Sequence, residues 1–498
     1  TNDEYGCFSN FAHYPFVVNG ITWHTSEHYF QAHKFSDEEY AEFLSKIKRS
    51  DYLSETFDDY FICPHCGWEY DGIVELDVYS STNKSTIKDY RKTMKIKSLL
   101  AIAACALSLS MNAQSVSPKR EFRGAWIQCV NGQFQGMTAQ KMQSVLTAQL
   151  DALQKAGINA IIFQIRAEAD ALYQSSYEPW SRYLTGVQGK SPQWDPLQWM
   201  IDECHKRNME LHAWINPYRY STSEDNHGRL STDYANTHPD WLINCGGIHI
   251  LNPGLPAVRE QIVNIVVDIL EKYDVDGIVF DDYFYPSGGT TESSSAPDYE
   301  QYKASGTTMS IGDWRRRNVN DMVADCYNTI KELRPDVRFG IGPAGVSHKS
   351  ASKYGLPSVS SYGSSASDWQ YAQIYCDPLT WMYEGTVDFI SPQLYWETTH
   401  STNGYAELTH WWSDAAAKFN CHYYASQASY KVNNSGWGAA EIAKQVELNR
   451  KYMKNNNCGS IYYNTISFKS YLSSLGNDVY STPALTPYTL NLILNPNP

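Results

Sequence analysis

Asp281 and Asp282 stand side by side at the end of the apolar run Val275-Asp276-Gly277-Ile278-Val279-Phe280, and Tyr283, Phe284, Tyr285 and Pro286 follow at once. Such a run reads as a strand buried on both faces of a parallel sheet. Two acids and several rings at its C-terminal end are what cleavage of a sugar–sugar bond requires. The carboxyls transfer protons and stabilise a cation-like transition state, and the ring faces stack on the sugar. On an extended strand neighbouring residues face opposite ways, so one of the two aspartates is expected to point into the site and the other to orient it or bind an arginine or a backbone amide.

Glycosidic cleavage also asks for a second carboxyl roughly 5–10 Å from the first. Glu168, just past another apolar segment and flanked by Ala167 and Ala169, is the first candidate for the proton donor, because partial desolvation would raise its pKa. Asp170 is the second candidate and Glu397 the third; otherwise both are expected among the substrate-binding residues. Strand alternation puts Arg166 on the face of Glu168, where a cation would oppose that rise. Gln164, Arg166, His212, Asn216, Tyr218, Gln393, Tyr395 and Asn464 are polar residues at strand ends suited to sugar hydroxyls. Trp126, Trp214, Tyr283, Tyr285 and Trp396 are candidate stacking platforms, with core packing an even alternative for each. For His212 a satisfied core histidine is an equal reading.

The elements that must position these residues alternate from Glu121 onward. Strands are expected at 122–130, 159–166, 210–216, the run ending in Asp281, 337–342, 387–395, 421–426 and 460–464. Amphipathic helices lie between them, for example at 138–156, where Met142, Val145, Leu146, Leu150 and Leu153 share a face and Gly157 ends the helix. This pattern predicts an α/β chain, a (β/α)8 TIM barrel with enlarged βα loops, whose chemistry sits at the C-terminal ends of the strands. An open doubly wound sheet would show a Gly-rich phosphate turn after an early strand, and none is present.

A net charge of −14 over 498 residues argues against a nucleic-acid partner, and the absence of a P-loop against a nucleotide. No histidine or cysteine cluster after Gln114 suggests a metal, so neither metal nor cofactor is expected there. The seven cysteines after Gln114 are scattered and odd in number, and read mostly as small core residues. Met94-Lys95-Ile96-Lys97, the apolar stretch Leu99 to Met111 and Asn112-Ala113-Gln114 have the layout of a secretory signal peptide over 94–113, cleaved after Ala113. A secreted or cell-envelope protein starting at Met94 is therefore expected. Residues 1–93 would then be foreign sequence joined upstream, 114–485 the barrel and 486–498 a tail.

Several strings carry family resemblances. Tyr5 to Phe11 and Thr25 to Phe35 resemble part of the NADAR N-glycosidases over 1–50. Phe61-Ile62-Cys63-Pro64-His65-Cys66-Gly67 resembles half of a CPCC-type zinc-binding domain over 51–93. Both fragments are truncated, and neither activity nor metal is expected of them. Phe122-Arg123-Gly124-Ala125-Trp126, Phe163 to Arg166 with Ala169 to Tyr173, Glu178 to Gly186, Leu211 to Arg219, Asp276 to Pro286 and Ser391 to Trp396 together resemble the glycosyl-hydrolase-like family ten over about 120–485. That resemblance implies a (β/α)8 fold and a secreted hydrolase of bacterial glycans, with peptidoglycan glycan strands favoured. A glycan-binding barrel without catalysis is the alternative, and the five surviving candidate acids favour the enzyme.

Overall fold

The computed structural model describes residues 118–222, 229–432, 436–454, 459–465 and 471–488, together with four short strands nearer the N-terminus. The chain divides into two units, Thr1–Asn112 and Ala113–Pro498. In the first, Phe16–Val18 pairs antiparallel with Ile21–Trp23, and Phe61–Ile62 with Glu69–Tyr70. The candidate zinc ligands Cys63, His65 and Cys66 and the signal-like segment 94–113 lie outside the described residues.

In the second unit ten strand segments form one parallel sheet. They are β1 (Phe122–Ile127), β2 (Ala160–Arg166), β3 (Glu210–Ile215), β4 (Gly277–Asp281), β5 (Arg338–Gly342), β6 in two pieces (Phe389–Ile390 and Gln393–Leu394), β7 in two pieces (His422–Tyr423 and Ala425–Ala428) and β8 (Gly459–Tyr463). Each strand pairs with the next, the two pieces of β6 pair with the two pieces of β7, and β8 returns to β1 through Gly459↔Phe122 to Tyr462↔Ala125. The pairing therefore runs round a closed ring of eight strands, as the spacing predicts.

The intervening helices are α1 (Ala139–Lys155), α2 (Pro196–His205), α3 (Pro256–Lys272), α4 (Ile311–Leu333), α5 (Pro378–Glu384), α6 (Tyr405–Lys418) and α7 (Ala439–Tyr452). Their ends are written in the sequence. Thr138 caps α1 by accepting the Lys141 N–H at 3.2 Å, and Gly157 leaves it at φ +84°. Ser310 caps α4, and Pro256 opens α3 where no amide donor is needed. Met142, Leu146, Leu150 and Leu153 of α1 are buried against the sheet, each side chain contributing about 1.5–3 kcal/mol.

Inside the ring the side chains stack in layers. At the floor Phe122 stacks on Tyr424 with centroids 4.3 Å apart, beside Phe389 and His212. Gly340 makes room for that layer, since a Cβ there would lie 2.2 Å from the Phe389 ring. Above it Trp126 meets Trp214 edge to face at 4.9 Å. The next inward positions, two residues further along each strand, form the mouth. The loop after β3 adds a three-stranded antiparallel sheet, Arg219–Ser221 with Ile248–Leu251 and Leu242–Cys245.

Candidate active site

Asp281 follows Val279 by two residues on β4, so its carboxyl faces inward above the tryptophan layer and is 7 % exposed. The strand ends there and the chain bends at Asp282. The bend overturns the expected opposition of the two side chains. The Asp282 amide donates to Asp281 Oδ1 at 2.8 Å, and the two carboxyls lie against each other. Gln393 Nε2 spans the mouth from β6, donating to Asp281 Oδ1 at 3.1 Å and to the Gly342 carbonyl at 2.9 Å. Burial raises the pKa of both aspartates, and the neighbouring Asp281 pushes Asp282 well above the usual carboxylate range. The pair thus retains a proton that separated carboxyls would lose, held more strongly at Asp282, because Asp281 also receives the Asp282 amide and Gln393.

Tyrosines wall this pair. Tyr395 stacks on Tyr463 at 6.0 Å and meets Tyr430 edge to face at 5.9 Å. Tyr463 Oη and Asn464 Nδ2 both donate to Gln128 Oε1, at 2.9 and 3.1 Å. Tyr283, 38 % exposed, lies under the Arg219 guanidinium at 3.4 Å. The charge of Asp281 raises the pKa of Tyr283, ahead of burial; for Tyr395 and Tyr463 burial comes first. Below them Trp214 Nε1 donates to Asn216 Oδ1 at 3.1 Å, and Asn216 Nδ2 donates to the Ala167 carbonyl, so both are spent holding the floor of the mouth.

The end of β2 is arranged differently from the expectation. The register slips between Gln164 and Arg166, and Ala169 takes a positive φ of 53°. Arg166 therefore does not share a face with Glu168. It turns into the outer layer beside Tyr234 and Tyr173, forks onto Glu178 with two bonds of 2.6 Å, and donates to the carbonyls of Asn216 and Pro217. Arg166 is in a buried structural ion pair, with four of its five N–H donors engaged by the protein. Glu168 is held instead by Arg182 at 2.8 Å and Thr222 Oγ1 at 3.2 Å, two partners suited to a carboxylate rather than to a proton donor. Asp170 accepts the Arg182 amide, and burial, then Glu168, raises its pKa to about 7.

Of the other expected site residues, Gln164 keeps its inward position at the mouth and the rest fall outside it. His212 is fully buried in the floor with Nε2 2.9 Å from Glu210 and its Nδ1 without a partner, a core histidine rather than a sugar ligand. Tyr218 packs on Phe284 in the outer core, and Tyr285 lies buried against Tyr375 and Arg315. Gln164 accepts the Cys129 amide at 3.0 Å and ties β2 to the segment after β1. Trp396 packs on the outer core, and Glu397 is exposed on the loop beyond β6. Arg219, Tyr463 and Gln128 were not among the expected site residues. Tyr463 follows inward Ile461 by two residues, so period-two reading of β8 would have found it; Arg219 ends the string Leu211 to Arg219 with no periodic signal.

Among the described residues no group of three or more His, Cys, Asp or Glu is placed to hold a metal ion, and six cysteines are free and buried. The arrangement is a largely buried carboxyl pair with one retained proton, walled by rings, which suits proton transfer to a sugar oxygen.

The family model described as Glycosyl hydrolase-like 10 matches residues 121–441. Glycosyl hydrolase YngK of Bacillus subtilis is 39 % identical over 394 residues, covering 76 % of this chain and 74 % of its own length. Glycosyl hydrolase DigH of Escherichia coli K12 is 36 % identical over 330 residues, covering 62 % of this chain and 73 % of its own length. The N-glycosidase YbiA of the same strain is 60 % identical over 47 residues, 9 % of this chain and 29 % of YbiA. That short match agrees with the NADAR resemblance of the N-terminal strings.

Proposed function

From the premise that the chain belongs to the glycosyl hydrolase-like 10 family and is a glycosidase, we propose that it is a secreted enzyme cleaving glycosidic bonds of a bacterial envelope glycan, foremost peptidoglycan glycan strands. The observation that carries the catalytic reading is the contact of Asp281 and Asp282 at the mouth of the barrel, with Gln393 on Asp281. Asp282 gives its proton to the glycosidic oxygen, the C1–O bond breaks, and the leaving sugar departs as an alcohol. Ionised Asp281 faces the positive charge that develops at C1. Water then adds its hydroxyl to C1 and returns its proton to the pair. Tyr283, Tyr395 and Tyr463 offer ring faces to the sugars on either side. Glu168, buried and held by Arg182 and Thr222, is a positioning residue beside the site rather than the proton donor. Secretion rests on the signal-like segment 94–113, and the mature N-terminus is expected at Gln114.

The test is incubation of the full chain with purified peptidoglycan, glycan strands freed of peptide, and a polysaccharide panel, read by mass spectrometry. Shortened glycans that have gained water are expected from the peptidoglycan-derived substrates. Asp282→Asn should slow their release by about 10²–10⁴-fold and spare substrates whose leaving group needs no proton. Binding without any shortened product would favour the glycan-binding barrel.

A further inference from the structure

We propose that Arg219 is the receptor for a carboxylate on the sugar bound beside Asp281 and Asp282, and so selects acidic over neutral sugars. The inference rests on the glycan reading above and names the substrate chemistry of that same site.

The argument begins with how Arg219 is held. It opens the short strand Arg219–Ser221, whose backbone is pinned by the pairings Ile250↔Arg219 and His249↔Ser221. The next side chain, Tyr220, is anchored by its hydroxyl on Asp233. The guanidinium lies flat on Tyr283, its carbon 3.4 Å from the ring centroid. Stacking occupies the face of a guanidinium and leaves the N–H donors around its edge available.

Those donors have no partner among the described residues: no carboxylate lies at ion-pair distance and no hydrogen-bond acceptor is engaged. The arginines near it are placed otherwise. Arg166 forks onto Glu178, and Arg182 sits on Glu168. Yet the charge of Arg219 reaches both members of the acid pair, lowering the pKa of each. A half-buried, pre-oriented fork with no partner among the described residues, next to the reacting atoms, is a place for an anion supplied from outside.

Electrostatics points the same way. Two acids in contact would repel a substrate that carries a carboxylate, and Arg219 on Tyr283 offsets that repulsion at one edge of the mouth. A planar carboxylate matches the fork with two parallel bonds, whereas a sugar hydroxyl offers one uncharged acceptor and an ester forfeits the charge. The expected discrimination is about 10–100-fold, the usual worth of a hydrogen bond to a charged group.

The test measures binding by calorimetry on the full chain with three probes: N-acetylmuramic acid, its methyl ester and N-acetylglucosamine. The acid should bind about 10–100-fold tighter than the ester. Arg219→Gln should erase that difference and leave the ester and the neutral sugar unchanged, and Arg219→Lys should restore part of it. Equal affinity of the unaltered protein for acid and ester overturns the proposal. So does an equal loss for all three probes in a variant that melts normally, since Arg219 would then serve to prop Tyr283. Arg219-dependent binding of the acid by a protein that cleaves no glycan would sink the hydrolase reading and leave this one standing. Cleavage of glycans without discrimination would do the reverse.

Discussion

The ends of β2 and β4 lie one strand apart in the barrel and are both rich in acids, but they handle charge in opposite ways. At β2, Glu178 is forked by Arg166 with both side chains fully buried, and Glu168 is paired with Arg182. At β4, Asp281 and Asp282 touch each other, and among the described residues no guanidinium comes within ion-pair distance of either. Charge at β2 is neutralised locally and serves folding. Charge at β4 is left opposed, and the system lowers its energy by keeping a proton. The comparison shows that the number of acids at a strand end says little about chemistry; the absence of a neutralising partner says more.

Breaking the β2 pair should give the largest effect. Glu178→Gln strands a fully buried guanidinium and should cost about 3–5 kcal/mol in denaturant unfolding, whereas Asp282→Asn should slow glycan cleavage by about 10²–10⁴-fold with nearly unchanged stability. A Glu178→Gln protein as stable as the parent would mean that the two strand ends do not differ in kind.

Asp170 is the exception at β2, a buried acid in no ion pair among the described residues, and it sharpens the contrast. Its pKa is raised from 3.8 to about 7. Between these values the folded state holds a proton that the unfolded state has released, so stability falls as pH rises through that window. The loss amounts to at most about 4 kcal/mol. Asp170→Asn should flatten the slope between about pH 4 and 7 and melt above the parent at pH 8. A slope that survives the substitution would assign it to another group.

The smallest effect concerns Gln393. Gln393→Ala removes one of the two donors that favour ionised Asp281, so the ascending limb of the pH–rate profile should move up by about one unit, with little change in melting. An unmoved limb would mean that Asp282 and the Arg219 charge hold Asp281 ionised without Gln393.

Much of the barrel was legible beforehand because strand and helix periods are local. Val258, Ile262, Ile265, Val266 and Ile269 mark the inner face of α3 with no knowledge of the partner sheet. The interruptions of β6 and β7 were not legible, since Ser391-Pro392 and Tyr424 break the pairing only in register with their neighbours. Within the site, Asp281, Gln393, Tyr283 and Tyr395 were named from strand ends and do meet at the mouth. Arg166, His212 and Tyr218 were named by the same rule and do not.

By itself the sequence determined the eight strands and the helices between them, the two acids at the end of β4 and the rings after them, because hydrophobic period, caps and turn residues act over a few positions. Tertiary structure decided which charges are cancelled. Gln393 reaches Asp281 across 112 residues, the slip after Gln164 turns Arg166 from the mouth to Glu178, and the loop sheet lays Arg219 on Tyr283. Electrostatic partnering depends on distances that exist only once the ring of strands has closed, and no local pattern encodes them.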